Sequence, residues 1–158
     1  MRIWILLASV AMVVVTGGCR PSPSVAPTSG WIKLANSRFS MFVPSEINSS
    51  GSLDASAAFG ELDGKSMHLS FEYGVSHEDF SGFKKAKHYA AHEERIGGKT
   101  ARIVEFYYEA FRPFHELMAV DFPEVDGGTF QLNVTVICET TNDYETAKTI
   151  FRTIRFRQ

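Results

Sequence analysis

Two histidines stand four residues apart, at positions 88 and 92, with Glu93 directly after the second. On a helix, side chains at this spacing share one face, so the two imidazoles could bind zinc if a third ligand came near. The segment reads His-Tyr-Ala-Ala-His and lacks the glutamate of the HExxH zinc motif. We therefore expect His88 and His92 on the wet face of a polar helix, and the sequence predicts no metal site and no cofactor.

A thiol and a pair of carboxylates could also do chemistry. Cys138 beside a histidine could act as a nucleophile, but it is in phase with the apolar residues of a strand-like segment, which predicts a buried and inert thiol. Glu105 and Glu109 could share one strand face with Tyr107, and converging carboxylates can hydrolyse glycosidic bonds. No GxSxG motif, glycine-rich phosphate loop or EF-hand pattern is present. The sequence thus predicts no catalytic residues and a protein that is not an enzyme.

The segment from Phe111 to Phe114 combines two aromatic rings with Arg112. Pro113 interrupts the strand pattern, which predicts a hairpin tip or a bend. Aromatic residues and arginine are frequent at protein interfaces, so Phe111, Arg112 and Phe114 are the predicted contact with a protein partner if this tip is exposed. The alternative, which we favour, is that both rings fold back onto the core, because exposed aromatic patches are uncommon on monomers.

The first eighteen residues have the layout of a secretory signal. Arg2 gives a positive start, residues 3–15 are apolar and uncharged, and residues 16–18 are small. A helix of thirteen residues spans about 20 Å, which is shorter than the roughly 30 Å hydrocarbon core of a bilayer. We therefore expect residues 1–18 to be a cleaved leader, with an uncleaved anchor as the alternative.

Cys19 follows these small residues directly, and residues 15–19 (VTGGC) resemble the lipobox of bacterial lipoprotein precursors. The segment departs from the family at Thr16, where leucine is preferred. The resemblance implies cleavage before Cys19, a diacylglycerol thioether on its thiol and an acyl chain such as palmitate on the new amine. The membrane lipid would then hold the protein in the bacterial cell envelope, facing the periplasm. Arg20, in place of the aspartate that favours the inner membrane, favours the outer membrane. The alternative is an ordinary leader with an incidental Cys19.

The rest of the chain divides into a linker and one domain. Residues 20–30 (RPSPSVAPTSG) predict an extended tether of about 30 Å, so the lipidated cysteine and linker occupy 19–30. Residues 31–158 hold all thirteen phenylalanines and all five tyrosines, enough apolar volume for a single core. The net charge of −2 argues against a nucleic-acid partner.

Alternation of apolar and polar residues predicts strands over most of this domain. The clearest strand-like segments are residues 39–43, 67–73, 101–109, 115–122 and 130–138. The turn signals Asp63-Gly64 and Asp-Gly-Gly at 126–128 predict hairpins and therefore antiparallel pairing. Helical spacing predicts one helix from Ser76 to Gly97 and another from Asn142 to Ile154. We therefore predict an α+β fold, a mainly antiparallel β-sheet packed with two main α-helices.

Three short segments resemble the PsbP-like (PsbP/Mog-type) domain family. They are residues 39–44 (FSMFVP), 96–101 (IGGKTA) and 147–156 (AKTIFRTIRF), the last being similar to the family ending A-x-x-I-x-x-S-I-x-F. The family includes an extrinsic photosystem II subunit, a Ran-binding nuclear factor, and bacterial lipoproteins or secretion chaperones. The resemblance implies an antiparallel sheet between helices and a role in binding other macromolecules, with no catalytic residues to transfer.

The combined prediction is a membrane-anchored envelope lipoprotein that acts as a non-enzymatic protein-binding, scaffold or chaperone-like module. The alternatives are an envelope hydrolase with a Glu/His site and a carrier of a small apolar ligand between sheet and helix. Converging glutamate and histidine side chains in a cleft would favour the hydrolase, a large apolar pocket would favour the carrier, and an exposed patch at 111–115 would favour the binding module.

Overall fold

The computed structural model describes residues 29–47, 58–75, 80–108 and 115–157. These residues form nine β-strands and one α-helix, and strands account for more than half of them. The elements are β1 (Trp31–Ala35), β2 (Phe39–Pro44), β3 (Phe59–Asp63), β4 (Met67–Gly74), β5 (Ala90–Ile96), β6 (Lys99–Tyr108), β7 (His115–Phe122), β8 (Gln131–Cys138), α1 (Thr141–Arg152) and β9 (Arg155–Phe156).

The strands form two antiparallel sheets. The small sheet has the order β1-β2-β9, and the large sheet has the order β3-β4-β8-β7-β6-β5. Glycines set the tight turn between β5 and β6, where Gly97 and Gly98 have φ values of 58° and 83°. A two-residue turn with both φ values positive matches the right-handed twist of a hairpin. The sequence places glycine where this backbone conformation requires it.

One continuous core lies between the inner face of the large sheet, α1 and the small sheet. Ala147, Ile150 and Phe151 are the buried apolar residues of α1. The small sheet joins the same core, because the Phe156 ring meets the Phe122 ring edge-on at 4.9 Å. Thr153 fixes the end of α1 to β2, since its hydroxyl oxygen accepts a 2.8 Å hydrogen bond from the Phe42 backbone N–H.

Helix α1 begins with a capping box. The Thr140 hydroxyl oxygen accepts from the Asp143 N–H, and the Asp143 carboxylate accepts from the Thr140 N–H at 2.8 Å. These two bonds satisfy donors that a helix start otherwise leaves unpaired. At the other end, the Arg155 guanidinium donates to the Arg152 carbonyl at 2.9 Å, which places a positive charge at the negative end of the helix.

The predicted helix from Ser76 to Gly97 is wrong. Residues 76–79 lie outside the described residues, but beyond them the chain makes only a 3-10 turn at Ser81–Phe83 and then enters β5. Phe80 and His88 have φ values of 56° and 61°, in the left-handed region that a right-handed helix cannot contain.

Tertiary packing explains why this segment is extended. A smaller apolar cluster covers the outer face of the large sheet, where the rings of Phe80, Phe83 and Tyr89 surround Phe106 at centroid distances of 6.1, 4.6 and 6.4 Å. The fold-class prediction of an α+β sandwich with two main helices is therefore wrong. The described residues form a mostly antiparallel β structure with a single short helix.

Candidate functional site

Three side chains of different chemistry form a row across one end of the large sheet. Tyr107 on β6 stands opposite Glu116 on β7, and Glu116 stands opposite Cys138 on β8. Directly paired residues of neighbouring strands project from the same face of a sheet. The row therefore presents a phenol, a carboxylate and a thiol side by side on the inner face.

A cleft of about 250 Å³ opens between this row and the start of α1. Its lining is rich in hydroxyl groups, carboxylates and tyrosine rings. The lining residues are Tyr107, Glu116, Cys138, Glu139, Thr140, Thr141 and Tyr144. The capping box orients the helix side of the cleft, because it fixes where the residues that begin α1 lie.

His88 and Lys87 complete the site from the edge of the sheet. The Lys87 carbonyl accepts a 2.8 Å hydrogen bond from the Tyr107 N–H, which ties the segment before β5 to β6. The His88 Nδ1 lies 2.9 Å from a carboxylate oxygen of Glu116. The Lys87 ammonium lies 5.4 Å from the centroid of the Tyr107 ring, within cation–π range.

The buried Cys138 thiol forms the floor of the cleft, and its surroundings favour the protonated form. Burial, and to a lesser extent the nearby carboxylates of Asp143 and Glu116, raise the pKa of this thiol to about 12. Because only the thiolate is a strong nucleophile, a thiol with this pKa is a poor nucleophile at neutral pH. The predicted burial of this thiol is confirmed, and its inertness stays a prediction.

This thiol gives the stability of the protein a definite pH dependence. The unfolded thiol ionises at its ordinary pKa of 9.0, whereas the folded thiol keeps its proton up to about pH 12. The free energy of unfolding should therefore be unaffected by Cys138 below pH 9 and should fall above it. At 1.36 kcal/mol per pH unit, we expect a loss of about 2 kcal/mol between pH 9 and 11.

Urea denaturation at pH 8, 9 and 11 of the natural chain and of Cys138→Val measures this contribution. Burial and the Asp126 carboxylate also raise the pKa of Tyr73 to about 12. Tyr73 is present in both proteins, so its contribution to the pH dependence is the same in each. The natural chain should lose about 2 kcal/mol more than the variant. Parallel losses in the two proteins would refute the assignment.

No family model and no curated protein matches this chain. The resemblances of residues 15–19 to a lipobox and of the domain to PsbP-like proteins therefore stay predictions. Cys19, Phe111, Arg112 and Phe114 lie outside the described residues, so the lipid site and the partner contact also stay predictions. Within the described ranges, no helix has the length and apolar character to cross a membrane.

The structure separates the two histidines that the sequence places together. His92 lies on the exposed edge strand β5 opposite Ile103, whereas His88 precedes that strand and contacts Glu116. Among the described residues, no three histidine, cysteine, aspartate or glutamate side chains are grouped to hold a metal ion. The predicted exposure of His88 and His92 is confirmed, but the helix that was to carry them is absent.

The glutamates of the site differ from those singled out in the sequence. Glu105 lies on β6 opposite Met118, two residues before Tyr107 and on the same face, while Glu109 lies outside the described residues. Glu116 and Glu139 line the cleft and were missed. The signal for Glu116 was its position in β7. It is two residues before Met118 and four before Val120, so it lies on the same inward face as these two core residues.

Proposed function

We propose that the protein is a lipid-anchored, non-enzymatic binding module of the bacterial cell envelope and that it binds through the cleft between β6–β8 and α1. The observation that carries the proposal is the composition of this cleft. It offers two tyrosine rings, two carboxylates and two threonines around a thiol that stays protonated. Aromatic faces and polar groups of this kind orient and hold a ligand, and no activated nucleophile is among them.

The proposed anchor rests on the start of the chain. The apolar leader and Cys19 supply the lipid site, and residues 20–30 supply a tether of about 30 Å. Strand β1 begins at Trp31, immediately after the proline-rich segment, so the folded domain starts where the tether ends. Two or three acyl chains give stable attachment, whereas one would bind the membrane only weakly.

Site-specific photo-crosslinking in intact cells tests the proposal. A benzoylphenylalanine residue would replace Thr141, which is exposed and lines the cleft, in the membrane-anchored chain. Glu145 is the matched control position, since it is exposed on the same helix but does not line the cleft. We expect an adduct from position 141 that is absent from position 145 and is reduced by Glu116→Gln. Identical adducts from both positions, or none from position 141, would contradict the proposal.

An envelope hydrolase is the second candidate, and the contact between Glu116 and His88 favours it. Their 2.9 Å separation brings a glutamate and a histidine together at the cleft, where the carboxylate could orient the imidazole as a general base. If this pair is catalytic, the purified chain should release soluble fragments from isolated envelope glycan or peptide, and either Glu116→Gln or His88→Gln should abolish the release. Release that is unchanged in both variants would remove this candidate.

A further inference from the structure

Three carboxylates lie in or beside the cleft. Glu116 and Glu139 line it, and the Asp143 carboxylate lies close enough to the Cys138 thiol on its floor to raise the pKa of that thiol. Asp143 is held in place by the Thr140 N–H at 2.8 Å and by the Ser66 hydroxyl at 3.1 Å. An anionic ligand would be repelled by these carboxylates, whereas a cation would be attracted.

Among the described residues, two basic side chains contact the lining of the cleft. His88 lies against Glu116, with its Nδ1 at 2.9 Å from the carboxylate. The positive end of the α1 dipole is offset by Asp143 in the first turn of the helix. Lys87 is exposed and holds its ammonium 5.4 Å from the centre of the Tyr107 ring.

The position of Lys87 is a second, independent indication. The chain already places one of its own cations over an aromatic ring that lines the cleft. Ammonium groups bind tyrosine faces by cation–π attraction, and sites with several aromatic faces recognise quaternary ammonium ligands. Tyr144 supplies a further ring in the lining. The volume of about 250 Å³ fits a small head group, below the usual range for a drug-sized ligand.

We propose that this cleft binds a small organic ammonium group, with Tyr107 and Tyr144 contacting its apolar surface and Glu116 and Glu139 balancing its charge. The proposal rests on the proposed function, because it names the ligand class of the same cleft. Lys87 competes with the ligand, since its ammonium occupies the neighbourhood of Tyr107 and adds positive charge there. Two sources share this chemistry, namely a choline-type head group and the lysine side chain of a peptide.

Calorimetric titration of the full chain in detergent tests the ligand class. The probes are choline, its uncharged isostere in which carbon replaces nitrogen, and lysine blocked at its α-amino and carboxyl groups. The blocked lysine keeps its side-chain ammonium. The isostere has the same shape, so the comparison isolates the charge. We expect at least one ammonium probe to bind saturably. If choline binds, its affinity should exceed that of its isostere by about tenfold or more. The tighter of the two ammonium probes identifies the source.

Variants locate the binding. Glu116→Gln should weaken the binding of an ammonium probe by about tenfold, and Lys87→Gln should tighten it by about threefold. Glu145→Gln removes a carboxylate from the same helix outside the cleft and should change the affinity by less than about twofold, because exposed charges at a distance are screened.

The failures of the two proposals are distinguishable. If the isostere binds as tightly as choline, or if no ammonium probe binds while position 141 still crosslinks in cells, the cation inference is wrong and the cleft remains the binding site. If no probe binds and position 141 gives no specific adduct, both are wrong. An equal effect of Glu116→Gln and Glu145→Gln would show that general charge, and not this cleft, attracts the probe.

Discussion

Alanine at position 97 should lower the free energy of unfolding by about 3 kcal/mol. Gly97 has a φ of +58°, and forcing an alanine into the left-handed region costs about 1–2 kcal/mol. A Cβ at this position would lie 2.7 Å from the Ile154 carbonyl oxygen, which is closer than real Cβ contacts allow. The obstacle is backbone that is held between α1 and β9, so relieving the overlap adds about 1–3 kcal/mol.

Gly98 is the matched control for this substitution. It has a φ of +83° in the same turn, but a Cβ there would meet no atom within 4 Å. Gly98→Ala therefore carries the backbone cost without the collision, and we expect a loss of about 1–2 kcal/mol. Equilibrium urea denaturation of both variants measures the difference. Equal losses would show that the β5–β6 turn does not press against the segment that leads into β9.

The strands were predictable where burial has a period of two. On β4 and β8, one face is buried in the core and the other is polar or half-exposed, so the sequence alternates and the prediction of these strands is confirmed. The segment before β5 was not predictable in this way. Its phenylalanines share helical spacing, but they reach Phe106 from an irregular backbone that turns at Phe80 and His88.

The exposed edge strand β5 was obscured for a related reason. Its sequence AAHEERI contains one buried apolar residue, Ile96, and so carries no apolar alternation. Charged residues on an edge strand discourage pairing with other chains, and they remove the signal by which a strand is recognised. Pairing with β6 alone holds this strand extended, and such cross-strand bonds depend on residues distant in sequence.

The candidate site depends on register, which sequence patterns define weakly. Cys138 could be placed on an inward face because it continues the apolar phase of β8. Its neighbours could not, since Tyr107 and Glu116 belong to other strands and meet it only through the pairing of β6, β7 and β8. A shift of one residue in that pairing would turn Glu116 to the opposite face.

Phe106→Ala should lower the free energy of unfolding by about 3–5 kcal/mol, the largest loss expected from a single truncation on the outer face of the sheet. Phe106 is 1% exposed and touches the rings of Phe80, Phe83 and Tyr89. Truncation leaves a cavity beneath all three rings. Phe59→Ala is the control, because Phe59 is 57% exposed and should cost less than about 0.5 kcal/mol. Should Phe106→Ala fail to fold, Phe106→Leu should still fold with a loss of about 1 kcal/mol.

The same substitution links the outer cluster to the cleft. Lys87 and His88 lie between Phe83 and Tyr89 in the chain, and both of these aromatic residues pack against the cluster around Phe106. Loss of the Phe106 ring should therefore increase hydrogen exchange at residues 83–89 more than in β8. It should also loosen the 2.9 Å contact between His88 and Glu116, which would leave the carboxylate in the cleft without this partner. Phe106→Leu should consequently change the affinity for an ammonium probe, whereas Phe59→Ala should leave it unchanged, and equal affinities in the two variants would show that the outer cluster does not position the site.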